Sequence, residues 1–307
     1  MCSMSGLRFR YWFTLITLYF LTPLVGSASD YISVNTRHFS FYFQAQDERL
    51  MRSLISQAEE LRVSIMEDLG TDFEQRTKVY LAPSSKLFQE IQPRGEIPSW
   101  SIGVAYPRLN LIILKSPKRG NIELRKVFIH ELTHIFVGRA FKGREEAPRW
   151  LDEGLAMYES KEWDLSRVST MTRAVLTDSL IPLSEITRRF PQEAEGAELA
   201  YSESFYLISF LVSRYGKGRF HRFIWVYGGG KALEEVLTEV YGISLEELED
   251  EWKNYLKLRF SWIPIITSST ALWFSVTIAF IIAYLRRRRA KRLKWEELDK
   301  EDEGSWR

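Results

Sequence analysis

Thiols are almost absent from this chain: its one cysteine is Cys2, near the N-terminus. That excludes disulfides, cysteine metal ligands and cysteine nucleophiles from the rest of the sequence. A chain of 307 residues can bury a core large enough to stand without such staples. Histidine is scarce too, four in all, so imidazole chemistry has few places to be. The middle of the chain also lacks a dominant charge. Residues 286–307 hold 9 basic and 6 acidic residues; taking these, Arg8 and Arg10 from totals of 42 and 40 leaves 31 basic and 34 acidic residues in 30–261. A net of −3 there is no electrostatic footprint for nucleic acid. There is no repeat, no low-complexity tract and no N-x-S/T sequon.

Two stretches do not read as parts of a soluble fold. Tyr11 to Val25 is uncharged, follows Arg8 and Arg10, and leads into "GSASD". This is the pattern of a secretory signal over 1–29, cleaved after Ser27 or Ser29, or of an uncleaved N-terminal anchor. Trp262 to Leu285 is also uncharged and runs into "RRRRAKRLK". It reads as a transmembrane helix, 262–285, with a cytoplasmic basic tail, 286–307. Both ends give one topology: a single-pass membrane protein with 30–261 on the extracytoplasmic side. The missing sequons fit a bacterial cell envelope.

Periodicity divides 30–261 in two. "HFSFYF", "TKVYLA", "SIGVAY" and "NLIILK" read as strands, the last two joined by a turn at Pro107. Leu50, Leu54, Leu61, Ile65 and Leu69 recur at helical spacing between Asp47, a potential cap, and Gly70. "PSSKLFQEI" reads as a short helix. After Gly120 the pattern is helical: 121–141, then "PRWLDEGLAMYES" opened by Pro148, a less regular stretch over 161–196, and an apolar helix ended by Gly216. Further helices follow, the last with a capping box of Ser244 and Glu247. The expected fold is α+β: a small mixed sheet with one long helix over 30–120, a mostly helical half over 121–261, then the transmembrane helix.

Within "VFIHELTHIF" two of the four histidines, His130 and His134, stand four positions apart. On a helix this stacks both imidazoles on one face, with Glu131 on the adjacent face. Ile129, Leu132, Ile135 and Phe136 surround them, and buried imidazole nitrogens need partners that a shared cation provides. H-E-x-x-H is a zinc pattern in which the glutamate acts as a general base. Zinc needs a third protein ligand. With no cysteine and only His38 and His221 spare, a carboxylate in "WLDEGLA" fits: Glu153, on the following helix. Asp152 competes, but faces away if Glu153 faces the metal. Gly154 lets the two helices approach closely.

H-E-x-x-H, then eighteen residues, then the glutamate of W-L-x-E-G-x-A is similar to the gluzincin metallopeptidases. "PRW" and the preceding strands resemble the peptidase-MA-like domains of bacterial envelope proteins, over roughly Phe39 to Phe260. The resemblance implies one Zn2+ on His130, His134 and Glu153, and Glu131 as general base. Related zinc aminopeptidases place a tyrosine at the head of a later helix to donate to the oxyanion; Tyr201 in "YSESF" matches. In this clan an edge strand pairs with the substrate backbone, which assigns Gly103, Val104 and Ala105 to substrate binding. Two departures stand out. The G-x-M-E-N motif that reads a free amino terminus is absent, which favours an endopeptidase. Met157 stands where thermolysin-like enzymes carry an aspartate, which leaves the partner of His130 unassigned.

The expected function is a membrane-anchored zinc metallopeptidase acting on protein or peptide substrates. The alternative, of another class, is an inactive gluzincin-fold binding or scaffold module at the membrane surface. Glu131→Gln separates them, since only a peptidase loses turnover. An intramembrane peptidase is excluded, because Arg125, Lys126 and Arg139 flank the motif.

Overall fold

A computed structural model of the chain describes residues 31–93, 101–117, 124–141, 147–162, 164–191, 193–261 and 269–305. The first half holds a five-stranded sheet. β1 (Tyr31–Asn35) runs antiparallel to β2 (Phe39–Gln44), and β2 runs parallel to β3 (Thr77–Ala82). β4 (Gly103–Tyr106) and β5 (Leu111–Lys115) form an antiparallel pair, and β5 lies parallel to β3. The order is β1-β2-β3-β5-β4, so β4 is an edge strand. This is the expected mixed sheet, with one strand, β1, that the sequence pattern did not show.

Between β2 and β3 runs α1 (Glu48–Leu69). Gly70 ends it at φ 67°, a left-handed turn that costs glycine nothing. Asp47 does not cap it; its carboxylate accepts from the Ser116 hydroxyl instead, at 2.6 Å. After β3 comes α2 (Ser85–Glu90), capped by the Ser84 side chain on Leu87 N–H. Alternation along the strands sends Phe39, Phe41, Val79, Leu81, Ile112 and Leu114 to one face, where they bury against α1. Ile113 and Ala82 face the other way, under Phe88 of α2.

The helical half begins with α3 (Leu124–Ala140) and α4 (Arg149–Ser160). α3 lies under the sheet: Phe128 packs its ring 5.6 Å from Phe39 and 6.3 Å from Phe41. Burying Phe128 alone contributes roughly 1.5–3 kcal/mol. The stretch after α4 is more regular than its prolines suggest, for it folds as α5 (Leu165–Leu176) and α6 (Leu183–Arg188). Then follow α7 (Ala194–Tyr215), α8 (Lys217–Gly228), α9 (Leu233–Val240) and α10 (Leu245–Phe260), whose capping box of Ser244 and Glu247 forms as expected. Gly154 does permit a close helix approach, but by α7 rather than α3. A Cβ there would meet the Ser204 carbonyl oxygen at 2.7 Å.

The transmembrane reading of 262–285 is overturned: among the described residues no helix is long and apolar enough to cross a membrane. The last helix, α11 (Ser269–Ser305), is uncharged only as far as Leu285. Within the described residues that stretch, 269–285, reaches about 25 Å at 1.5 Å per residue, short of the ~30 Å hydrocarbon core, and Ser269, Thr270, Ser275 and Thr277 dilute it. The fold class therefore loses its transmembrane helix. The single-pass membrane localisation, with an extracytoplasmic domain and a cytoplasmic tail, loses its support with it. The expected leader, 1–29, and residues 262–268 lie outside the described residues.

Candidate metal centre

α3 is a buried helix with a polar seam. Thr133 satisfies its hydroxyl on the Ile129 carbonyl at 2.9 Å. His130 and His134 stack one turn apart, ring centroids 4.9 Å apart at 74°. α4 packs alongside and brings Glu153 opposite them. Glu153 Oε2 lies 3.8 Å from His130 Nε2 and 4.0 Å from His134 Nε2. One donor atom from each of the three falls within 4.8 Å of the others. Tetrahedral zinc with ligands at 2.0–2.2 Å needs donors about 3.4 Å apart, so the triangle would close on an ion with each donor pair drawing in by no more than about 1.4 Å.

Both imidazoles are oriented from behind. His134 Nδ1 hydrogen-bonds Asp152 Oδ1 at 2.7 Å, and His130 Nδ1 hydrogen-bonds Glu162 Oε1 at 2.7 Å. A carboxylate only accepts, so each Nδ1 carries the hydrogen and each Nε2 faces Glu153. Asp152 therefore does not face away, as the sequence suggested. It serves the other nitrogen of the same ring that Glu153 approaches.

Glu162 is the partner of His130 that sequence reasoning left unassigned. Lys161, left-handed at φ 56°, ends α4 and turns the chain so that Glu162 N–H bonds the Met157 carbonyl at 3.0 Å. Ser160 donates to Glu162 Oε1 at 2.9 Å, and Arg167 pairs with Oε2 at 3.4 Å. Burial alone raises such a carboxyl, but the hydrogen bond and charge of His130, with Ser160 and Arg167, hold it below the usual range. Met157, in the place of the missing aspartate, accepts from Arg167 Nη1 at 3.1 Å through its sulfur. The nearest signal in the sequence was a carboxylate just beyond the end of the glutamate helix.

Four carboxylates thus surround two imidazoles. Burial disfavours a charged His134, yet Asp152, by charge and hydrogen bond, with Glu131 and Glu153, outweighs it and lifts His134 to about 10. The carboxylates outnumber the imidazoles, a balance that a divalent cation would offset. Glu131 is buried, and burial pushes its carboxyl up; His134 and His130 pull the other way. Its Oε1 sits over the backbone of Gly103, where a Cβ would come within 2.6 Å. The edge strand and the glutamate are in direct contact. Val104 and Ala105 continue β4, paired to Ile113 and Ile112 on the inner side.

Tyr201 lies two turns inside α7, not at its head. Its hydroxyl accepts from Arg149 Nη2 at 2.7 Å, and its ring meets Phe190 edge-on at 4.9 Å. Burial raises its pKa, with Glu153 adding to the rise and Arg149 opposing it. Arg149 also lies 3.6 Å from Glu153 Oε1. No pattern in the sequence singled it out.

Two histidines on a buried helix, a glutamate on its neighbour and a second glutamate against an edge strand define a zincin-like domain. The chain belongs to the Peptidase MA superfamily, whose sequence profile matches residues 57–258. Similar solved structures include the M1 zinc metallopeptidase from Deinococcus radiodurans, 16% identical at a TM-score of 0.44, with 73% of this chain and 51% of that one covered. Native yeast LTA4 hydrolase is 16% identical at a TM-score of 0.46, with 72% and 38% covered. This chain spans about half the length of the first and less of the second. No curated protein matches by sequence.

Proposed function

We propose that this protein is a zinc-dependent peptidase that holds one ion on His130, His134 and Glu153. The observation that carries the reading is convergence: both Nε2 atoms and Glu153 Oε2 face one point, and a buried carboxylate stands beside it against an edge strand. Zinc, when bound, supplies Lewis acidity for the scissile carbonyl and lowers the pKa of water. Glu131 takes the proton of the attacking water and delivers it to the leaving nitrogen, a task suited to a carboxyl raised by burial. Tyr201 donates to the developing oxyanion. The free edge of β4, at Gly103, Val104 and Ala105, receives an extended peptide backbone. With no G-x-M-E-N motif to read an amino terminus, an internal bond is the preferred target.

The test is metal content and cleavage of a peptide library by the full chain and by Glu131→Gln. One zinc per chain in both, with cleavage only by the unaltered protein, supports the reading. Bound zinc with no cleavage by either favours a binding module, and no metal in either overturns the site.

A further inference from the structure

Arg149 occupies a position that helix energetics do not explain. It is the first residue of α4, where the macrodipole disfavours a cation. Its side chain is about half exposed, yet it is held on several sides. The guanidinium carbon sits 4.7 Å over the ring of Phe190, which is buried, and 5.7 Å from the Tyr201 ring centroid. Nη2 donates to the Tyr201 hydroxyl at 2.7 Å, and Nε lies 3.6 Å from Glu153 Oε1. The other oxygen of that carboxylate, Oε2, is the one facing both histidines.

We propose that Arg149 is a positioning residue that sets the Glu153 carboxylate and the Tyr201 phenol relative to each other. Arginine can only donate, so the phenolic oxygen accepts and the phenol keeps its own hydrogen for another acceptor. The adjacent guanidinium charge polarises that O–H and makes it a stronger donor. By pairing with Oε1 of Glu153 at 3.6 Å, Arg149 also favours Oε2 as the oxygen offered to a metal. A lysine in its place keeps the charge but loses the planar fork and the stacking on Phe190. The consequence for turnover rests on the peptidase reading; the contact with Tyr201 does not.

Two measurements separate these. The 13Cζ resonance of Tyr201 in the metal-free full chain, assigned by its loss in Tyr201→Phe, is expected to move in Arg149→Met and to stay in place in Arg52→Met, a change at an exposed arginine on α1. An unmoved resonance in Arg149→Met overturns the proposal, whether or not the protein hydrolyses peptides. In the zinc-loaded protein, Arg149→Met is expected to lower kcat about 10- to 100-fold with KM little changed. Arg149→Lys is expected to recover only part of that loss, and the loss in a Tyr201→Phe background should be smaller than in the unaltered protein. A loss confined to KM, or a fully additive loss in that background, overturns it. Absence of turnover in the unaltered protein counts against the peptidase reading, and the resonance then decides the role of Arg149 by itself.

Discussion

The two carboxylates behind the histidines do different work from the one in front. Glu162 fixes the tautomer and angle of His130 without touching the ion position, so its loss weakens binding rather than abolishing it. Glu162→Ala is expected to lower zinc affinity about 10- to 100-fold, measured by competition with a chromophoric chelator. Away from the site, Glu203 is buried on α7 and accepts from Ile181 N–H at 2.9 Å, and burial pushes it up to about 8. A raised carboxyl binds its proton more tightly when folded. The stability it contributes is full below the unfolded value near 4.5 and is lost as pH rises through about 8. Between those limits its slope approaches about −1.4 kcal/mol per pH unit. Denaturant unfolding of Glu203→Gln at pH 5 to 8 is expected to lack that slope; identical pH dependence in both proteins contradicts it. His130, Glu131 and His134 were legible in the sequence because helical spacing alone brings them together, and Glu153, on α4, because a third ligand was needed and the resemblance pointed to it. Glu162 was not, because its place depends on the left-handed turn at Lys161, and neither was Arg149, whose partners come from α7 and the segment before it.

Among elements, β4 and α3 meet closely at the site. A methyl at Gly103 would meet Glu131 Oε1 at 2.6 Å, its Cγ at 2.8 Å and Val127 Cγ1 at 2.8 Å. Gly103→Ala is therefore expected to displace the strand or turn the carboxylate, cutting kcat about 100-fold while zinc content stays unchanged. Unchanged turnover in that variant would show that the carboxylate does not need its present seat. Strands β2, β3 and β5 and helices α1, α3, α4, α7 and α10 were readable from their apolar periods and end signals. β1 was missed because most of it is only half-buried, and α5 and α6 because short, polar helices between prolines give a weak pattern. The place of Tyr201 at a helix head came from the resemblance, whereas α7 begins two turns before it, at Ala194.

The chain as a unit joins a sheet half to a helical half, and the candidate metal centre lies where α3 meets α4. An ion held by both helices belongs to the folded state alone, so it should add stability in step with its occupancy. Adding a chelator to the zinc-loaded protein is expected to lower its melting temperature, by a free energy of about 4 kcal/mol where free zinc had been a thousandfold above Kd. An unchanged melting temperature would place any bound zinc elsewhere. The apolar run near the C-terminus shows the limit of hydropathy read alone: among the described residues no helix is long and apolar enough to cross a bilayer, and α11 turns basic at Arg286.

The seat of Glu131 on the glycine backbone has a kinetic side. Among the described residues no hydrogen bond links β4 to the carboxylate, only contact, so a shift of the strand toward α3 would press on the base. A long peptide paired along the edge of β4 would hold the strand in place over the base, and a short one would hold it less. Chain length would then be read out in turnover rather than in affinity, as though the strand were a trigger and the peptide the finger on it.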